Sequence, residues 1–167
     1  MKSLPVVVLL DNVRSAYNVG AIFRTADAVG VEMVICCGYT PYPGLADDKR
    51  PKFEVAKVNS AIEKTALGSH NLPCQHFDSA LQAVKTYSAK GYQIVALEQA
   101  KTSVNLFDFK PNFPLVLTLG HEVAGTDSSL LQLADKVIEI PMHGAKESLN
   151  VSVAAGVALY QLRQKLV

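Results

Sequence analysis

Three polar clusters, each beside a short apolar run, carry the residues of this chain that are best suited to chemistry. They span residues 11–30, 117–125 and 140–154, and they contain glycines, asparagines, serines and Arg24. An arginine is always protonated near neutral pH, so Arg24 can hold a phosphate or stabilise a developing negative charge but is a poor proton acceptor. Ligands of open α/β sheets bind beyond the carboxyl ends of the strands. All three clusters occupy such positions, which predicts that they form a ligand site.

The sequence lacks several common catalytic and nucleotide-binding motifs. It contains no GxxxxGK[ST], no GxGxxG after the first apolar run and no GxSxG, which argues against a P-loop, a standard dinucleotide site and a hydrolase nucleophile elbow. No CxxC pair or histidine cluster has the spacing of zinc ligands, so we expect no metal. The cysteines, Cys36, Cys37 and Cys74, are odd in number, and we expect them to be thiols in a reducing cytosol.

The strands that must position these clusters are indicated by short apolar runs. Runs rich in Val, Ile and Leu, without strict polar alternation, occur at 5–10, 31–36, 92–97, 114–119 and 136–140. Such runs are typical of strands that are buried on both faces, as in a parallel sheet. A weaker strand is predicted at 74–77.

Helices are predicted between the strands. Apolar residues at helical spacing follow Asn18, which is a reasonable N-cap. Further helices are predicted over 79–90, from Asp127 or Ser128 to residue 134, and over 148–166. The alternation of strands and helices predicts an α/β fold, with one mostly parallel sheet flanked by helices. Segment 38–72 interrupts this rhythm, with a possible helix at 55–65, and long connections are usually functional or mobile.

Composition restricts the class of protein. The length of 167 residues predicts one domain, and 49% hydrophobic with 19% charged residues excludes global disorder. The net charge of +1 does not by itself indicate nucleic acid, so such binding needs a local patch. The N-terminal apolar run is too short to cross a membrane and lacks a cleavage site, so we expect a soluble, cytoplasmic protein. The strongest basic stretch, which also fits an ordinary solvated face, contains Lys49, Arg50, Lys52, Lys57 and Lys64.

Taken together, the three clusters resemble the three motifs of the SpoU (TrmH-like) RNA ribose methyltransferases of the SPOUT superfamily. Their order, spacing and flanking strands agree over nearly the whole chain, and the string Ser-Leu-Asn-Val-Ser-Val after Ile-Pro-Met is highly specific. The resemblance implies methyl transfer from S-adenosylmethionine to a ribose 2′-hydroxyl of tRNA or rRNA. It also implies a homodimer whose active site uses both subunits, and a deep C-terminal trefoil knot that sequence physics alone would disfavour.

The resemblance also implies roles for individual residues. Arg24 lies six positions after Asn18, as the catalytic arginine does in this family, and we prefer an electrostatic role for it. The other residues implied in catalysis are Asn18, Glu122, Ser148 and Asn150. The implied cofactor site consists of Leu97, Leu119, Gly120, Ile140, Met142, Gly144, Ser148 and Leu149. The candidates for RNA contacts are Arg14, Lys49, Arg50, Lys52 and Lys57.

Several alternatives stay open at the level of sequence. Arg24 could form a surface ion pair with Asp27, and the apolar cofactor residues could be ordinary strand-end packing. Methyl transfer to a base, or a non-catalytic RNA-binding or assembly protein with the same fold, would fit the same motifs. We expect no separate RNA-binding domain within residues 1–167, so RNA recognition would rest on the knotted domain, on segment 38–72 or on a partner protein. A methyltransferase domain without a separate RNA-binding domain fits a tRNA substrate slightly better than an rRNA substrate.

Overall fold

The computed structural model describes residues 3–121 and 125–166, and in them one seven-stranded sheet forms the centre of the molecule. The strands are β1 (Leu4–Asp11), β2 (Val31–Cys37), β3 (Cys74–Phe77), β4 (Gln93–Leu97), β5 (Val104–Asn105), β6 (Leu115–Leu119) and β7 (Lys136–Glu139). They pair in the order β3-β2-β1-β6-β4-β7-β5, and every neighbouring pair is parallel. All six predicted strands are confirmed, and the strand that the sequence did not reveal, β5, is too short to show a periodic pattern.

Helices cover both faces of the sheet, as the alternation predicted. In the described residues they are α1 (Ala16–Val29), α2 (Lys52–Ala66), α3 (Ala80–Ser88), α4 (Ser128–Leu133) and α5 (Val151–Gln164), with a 3-10 turn at Ser69–Asn71. On one face α1 contacts both α2 and α5, and on the other face α3 contacts α4. None of these helices combines the length and the apolar character that a membrane crossing requires.

Two hydrophobic cores lie on opposite faces of the sheet. Along β1, Val6, Val8 and Leu10 enter the core beneath α1 and α5, whereas Val7 and Leu9 enter the core beneath α3. The alternation follows from the two-residue repeat of a strand. Because both faces are covered, β1 can be apolar at every position, and each fully buried side chain of this kind contributes about 1.5–3 kcal/mol.

The carboxyl ends of five strands meet at one edge of the sheet. In the register of the ladders, Leu10 of β1 lies beside Cys36 of β2 and beside Leu119 of β6. Leu119 in turn lies beside Leu97 of β4, which lies beside Ile138 of β7. The segments that follow these strands, and with them the three polar clusters, therefore come together at this edge.

The structure corrects the start of three helices. Ser15, not Asn18, is the N-cap of α1: it has extended φ and ψ of −84° and 115°, and its Oγ accepts a hydrogen bond from the Asn18 backbone N–H at 3.3 Å. The prediction of Asn18 as the cap was wrong because the helix contains one more N-terminal turn. α5 begins after Asn150 rather than at residue 148. α2 begins directly after Pro51 rather than at residue 55, because the ring of Pro51 fixes φ at the point where the helix starts.

Candidate active site

A cavity of about 250 Å³ opens at the carboxyl edge of β6, β4 and β7. Of the residues predicted to bind the cofactor, those that line it are Leu97, Leu119, Gly120, Ile140, Met142, Ser148 and Leu149. The remaining one, Gly144, is exposed and lies outside the lining, and a Cβ atom added there would meet no atom within 4 Å. The second and third clusters thus form one pocket, with apolar side chains on its walls and a few polar groups among them.

The turn after β6 is packed so tightly that two glycines are required in it. A Cβ atom on Gly120 would lie 2.7 Å from the backbone of Gly125. Gly125 itself has φ +71°, and a Cβ atom there would lie 2.8 Å from Oε2 of Glu98. Real Cβ atoms do not approach other atoms this closely, so these positions accept only glycine. Gly120, which the resemblance assigns to the cofactor site, therefore serves first to let the turn close on itself.

Glu98 and Gln99, which the sequence motifs did not indicate as site residues, connect the walls of the cavity. The Glu98 carboxylate accepts hydrogen bonds from the backbone N–H groups of Thr126, at 2.8 Å, and of Gln99, at 2.9 Å. Gln99 Nε2 donates to the backbone carbonyl of Glu147 at 2.6 Å, which connects the loop after β4 to the third cluster. Their position could have identified them from the sequence, because they are polar and directly follow a buried strand, and ligands of such sheets bind beyond the strand ends.

Asn18 and Asn150 bring the first and third clusters together. Asn150 Nδ2 donates a hydrogen bond to Asn18 Oδ1 at 3.2 Å. Asn150 is also the N-cap of α5, where its Oδ1 accepts hydrogen bonds from the backbone N–H of Ser152 at 2.9 Å and from the Ser152 hydroxyl at 2.6 Å. A single amide side chain therefore caps one helix and contacts another.

Arg24 is exposed on α1 and is not part of the cavity lining. Both Arg24 and Asp27 are among the described residues, and no ion pair joins them; Asp27 instead accepts a hydrogen bond from Ser69 Oγ at 3.0 Å. The guanidinium is thus presented on the molecular surface rather than to the cavity of its own chain. The predicted site residue Glu122 lies outside the described residues.

The predicted RNA-binding residues fall into two groups. Arg14, Lys49, Lys52 and Lys57 are exposed. Arg50 is different, because its guanidinium forms an ion pair with Asp48, donates to the backbone carbonyls of Tyr42 and Pro43 at 3.2 and 3.3 Å, and lies 3.5 Å from the centre of the Tyr42 ring. These contacts occupy the guanidinium N–H groups that would otherwise donate to a phosphate. Arg50 therefore stabilises the loop after β2 instead of extending into solvent.

Asp11, at the end of β1, lies beside the cavity. The carboxyl is buried and accepts a hydrogen bond from Asn12 Nδ2 at 3.1 Å. Burial raises its pKa, the charge of Asp127 adds to this shift, and His121 opposes it. His121 lines the cavity, and the pairing of Leu10 with Leu119 places the end of β1 next to the turn after β6.

Comparison with known proteins identifies the family. Residues 5–160 match the SpoU rRNA Methylase family. The chain belongs to this family. It is 37% identical over 160 residues to a tRNA (guanosine(18)-2′-O)-methyltransferase of Aquifex aeolicus, an alignment that covers 95% of the chain and 69% of that relative. It is 30% identical to the 23S rRNA (guanosine-2′-O-)-methyltransferase RlmB of Vibrio parahaemolyticus, over 97% of the chain but only 60% of the relative.

The fold of this SpoU family member agrees with solved structures. The AdoMet-bound rRNA methyltransferase of Sinorhizobium meliloti superimposes with a TM-score of 0.79 at 27% identity, covering 99% of the chain and 61% of that protein. The predicted family, the parallel α/β fold and S-adenosylmethionine as the cofactor are therefore confirmed. In the part of the chain that the structure describes, no group of three or more His, Cys, Asp or Glu side chains could hold a metal ion. The trefoil knot stays a prediction.

Proposed function

We propose that this chain transfers the methyl group of S-adenosylmethionine to a ribose 2′-hydroxyl of tRNA. The observation that carries the proposal is the cavity, in which the second and third clusters meet beside the Asn18–Asn150 contact. The choice of tRNA over rRNA is supported by the higher identity to the Aquifex relative, which is named for tRNA, than to the rRNA relative.

The lining of the cavity fits the cofactor. Its apolar walls, formed by Leu97, Leu119, Ile140, Met142 and Leu149, suit a flat adenine ring, and small-molecule sites are typically apolar with a few convergent polar groups. The polar side chains in the lining, which are available to the rest of the cofactor, are those of Glu98, Gln99, His121, Glu139 and Ser148. When bound, S-adenosylmethionine supplies a methyl group activated by its sulfonium. Holding the acceptor oxygen in line with that group can contribute about 7–11 kcal/mol through positioning.

Arg24 would act on the RNA rather than on the cofactor. In the reaction the 2′-oxygen forms a bond to the methyl carbon, the carbon–sulfur bond breaks with its electron pair left on sulfur, and the hydroxyl proton passes to solvent water. A permanently protonated guanidinium cannot take that proton easily, but it can hold a backbone phosphate with two parallel hydrogen bonds. The same charge stabilises the negative charge that develops on the oxygen. In this scheme Asn18 and Asn150 are site residues, with their mutual hydrogen bond setting their position.

A homodimer would bring Arg24 to a cavity. Arg24 is exposed and does not line the cavity of its own chain. The neighbouring helix α5 exposes Val153 by 50% and Tyr160 by 55%, and residues seven apart lie on one face of a helix. A second copy seated on this face would bury both side chains and place the arginine of one chain near the cavity of the other. Isologous pairing of this type is the commonest form of oligomer.

The chemistry of the cysteines supports a reducing compartment such as the cytoplasm. Cys36, Cys37 and Cys74 are free thiols, and Cys36 and Cys37 are buried. Burial raises the pKa of Cys37 to about 12, so that its thiol is protonated and inert near neutral pH. Disulfides are rare in proteins of the cytosol.

Methylation of bulk tRNA with radiolabelled S-adenosylmethionine tests the proposed function. We expect label to enter the RNA, and we expect the modified position to resist alkaline cleavage because a methylated 2′-oxygen cannot attack the adjacent phosphate. Label at a position that alkali still cleaves would show base methylation instead. Folded protein that does not bind the cofactor in calorimetry would show a non-catalytic role.

The dimer has its own test in sedimentation velocity. We expect the wild-type chain to sediment as a dimer and Tyr160→Glu to yield folded monomers that bind the cofactor but do not methylate. A wild-type monomer with full activity would contradict the shared active site.

A further inference from the structure

An exposed tyrosine stands at the rim of the cavity, on the side of β1 and β2. Tyr39 follows β2 by two residues, and 59% of its surface is accessible. Its ring meets the His121 ring edge-on, with 6.4 Å between the ring centres and 83° between the planes. Because His121 lines the cavity, this contact places Tyr39 immediately outside the cofactor pocket.

The backbone that carries Tyr39 is firmly attached to the end of β1. The Tyr39 N–H donates to Asn12 Oδ1 at 3.2 Å. Thr40 is buried, and its hydroxyl donates to the Leu10 carbonyl and accepts from the Val13 N–H, both at 3.1 Å. Each polar group named here has a partner in the neighbouring strand or in the loop after it, so the loop offers a fixed support for an exposed ring.

This support requires unusual backbone conformations. Asn12 has φ +56°, in the left-handed region that non-glycine residues rarely adopt. Gly38 has φ +60°, a conformation that is strained for a residue with a Cβ atom, and a Cβ atom there would also displace the Asn12 side chain. Such strained positions cluster at functional sites, where the surrounding structure enforces them.

We propose that the Tyr39 ring is a stacking platform for an unpaired base of the RNA substrate, next to the nucleotide that is methylated. The proposal rests on the proposed function, since it needs an RNA whose ribose enters the site. Proteins that bind single-stranded RNA stack its bases on exposed aromatic rings, and tyrosine loses little conformational freedom when it does so.

The surroundings of Tyr39 favour a nucleic acid as its ligand. Arg14 is exposed and follows Val13, whose backbone N–H donates to the Thr40 hydroxyl, so a positively charged side chain belongs to the segment that supports the Tyr39 loop. Arginine side chains commonly contact nucleic-acid phosphates. The His121 ring meets the Tyr39 ring at nearly a right angle, and more than half of the Tyr39 surface is accessible. The cofactor cavity lies at the ends of β6, β4 and β7. The ends of β1 and β2 lie next to it along the same edge of the sheet, where the RNA would bind.

The test compares Tyr39→Ala with Tyr39→Phe, which keeps the ring, and with Phe107→Ala, which removes an exposed ring far along the sheet beside β5. Affinity for bulk tRNA is measured by fluorescence anisotropy with S-adenosylhomocysteine present, and KM and kcat are measured with the same tRNA. Alanine substitution of a stacking residue typically weakens binding by about 5- to 150-fold. We expect such a loss, seen as a higher KM for tRNA, in Tyr39→Ala but not in Tyr39→Phe or Phe107→Ala.

Three further readouts separate this idea from others. Affinity for S-adenosylmethionine, melting temperature and sedimentation should be unchanged in Tyr39→Ala. Unchanged tRNA affinity would overturn the proposal, as would an equal loss in Tyr39→Phe, which would assign the effect to the hydroxyl. Dissociation of Tyr39→Ala into monomers would overturn it by showing that a second copy covers the ring. Failure of the proposed function would differ from all of these, because wild-type protein itself would then transfer no methyl group to a ribose of the tRNA.

Discussion

The side chain of Asn150 connects two helices that are far apart in the sequence: it caps α5 and donates a hydrogen bond to Asn18 Oδ1 on α1 at 3.2 Å. This contact joins the cluster that contains Arg24 to the cluster that lines the cofactor cavity. Two substitutions can separate the capping role from the contact between the helices.

Asn150→Ala removes both interactions, and we expect a loss of about 0.5–2 kcal/mol in the free energy of unfolding, as for other N-caps. Asn150→Asp keeps an oxygen that can cap α5 but has no N–H to donate to Asn18. We therefore expect near wild-type stability and a clear loss of kcat in Asn150→Asp. Urea unfolding and steady-state kinetics measure the two effects, and full activity in Asn150→Asp would show that the link to Asn18 is dispensable.

Arg24→Ala is expected to abolish methylation without unfolding the protein, because the side chain is exposed and contributes little to the core. Removing a single group that stabilises the developing charge typically costs about 10²–10³ in kcat. Arg24→Lys keeps the positive charge but cannot form two parallel hydrogen bonds to a phosphate, so its kcat should lie between that of wild type and that of Arg24→Ala. Calorimetry should show unchanged affinity for S-adenosylmethionine. Activity retained in Arg24→Ala would remove Arg24 from the mechanism.

Glu98→Ala should weaken the binding of S-adenosylmethionine. The substitution leaves the backbone N–H groups of Thr126 and Gln99 without their carboxylate partner and frees the turn that follows β6. We expect the Kd to rise about tenfold, equivalent to ~1.4 kcal/mol, the order of one net hydrogen bond. Glu98→Gln, which keeps one acceptor oxygen, should lose less, and the exposed Glu54→Ala on α2 should lose nothing. Equal affinity in Glu98→Ala and wild type would show that the turn holds its shape unaided.

The Asp48–Arg50 pair predicts a pH dependence of stability. Its hydrogen bond with Arg50 holds the pKa of Asp48 well below the ordinary value of 3.8. A carboxyl with a lowered pKa stabilises the folded state fully above its unfolded pKa, and this contribution is lost as the pH falls through the folded pKa. Asp48→Asn should therefore lower the free energy of unfolding by about 1 kcal/mol at pH 7, and the difference from wild type should shrink below about pH 4.

Urea unfolding at pH 7 and pH 3 measures this difference, with the exposed neighbour Asp47→Asn as the control. A difference between Asp48→Asn and wild type that is the same at both pH values would contradict the assigned ion pair. A large effect of Asp47→Asn would show that general surface charge, not the Arg50 contact, is responsible.

Much of the fold could be predicted from sequence because it depends on local patterns. Buried parallel strands need unbroken apolar runs, and the runs at 5–10 and 114–119 became β1 and β6 almost residue for residue. Segments that follow such strands must lie at one edge of the sheet, so the position of the site followed from the same reasoning. The apolar cofactor residues could be named because they stand at strand ends within specific motifs.

The tertiary structure decided which polar groups meet. Asn18 and Asn150 are 132 positions apart, and no local pattern indicates that one amide donates to the other. The sequence predicts that Arg50 is a cation available to RNA. In the folded loop, however, its guanidinium contacts Asp48, the Tyr42 ring and two backbone carbonyls. Glu98 acquires its role only when the turn after β6 closes against it. Such contacts depend on strand order and loop packing, which are set by the whole chain, whereas hydrophobic periodicity reports only which face of each element is buried.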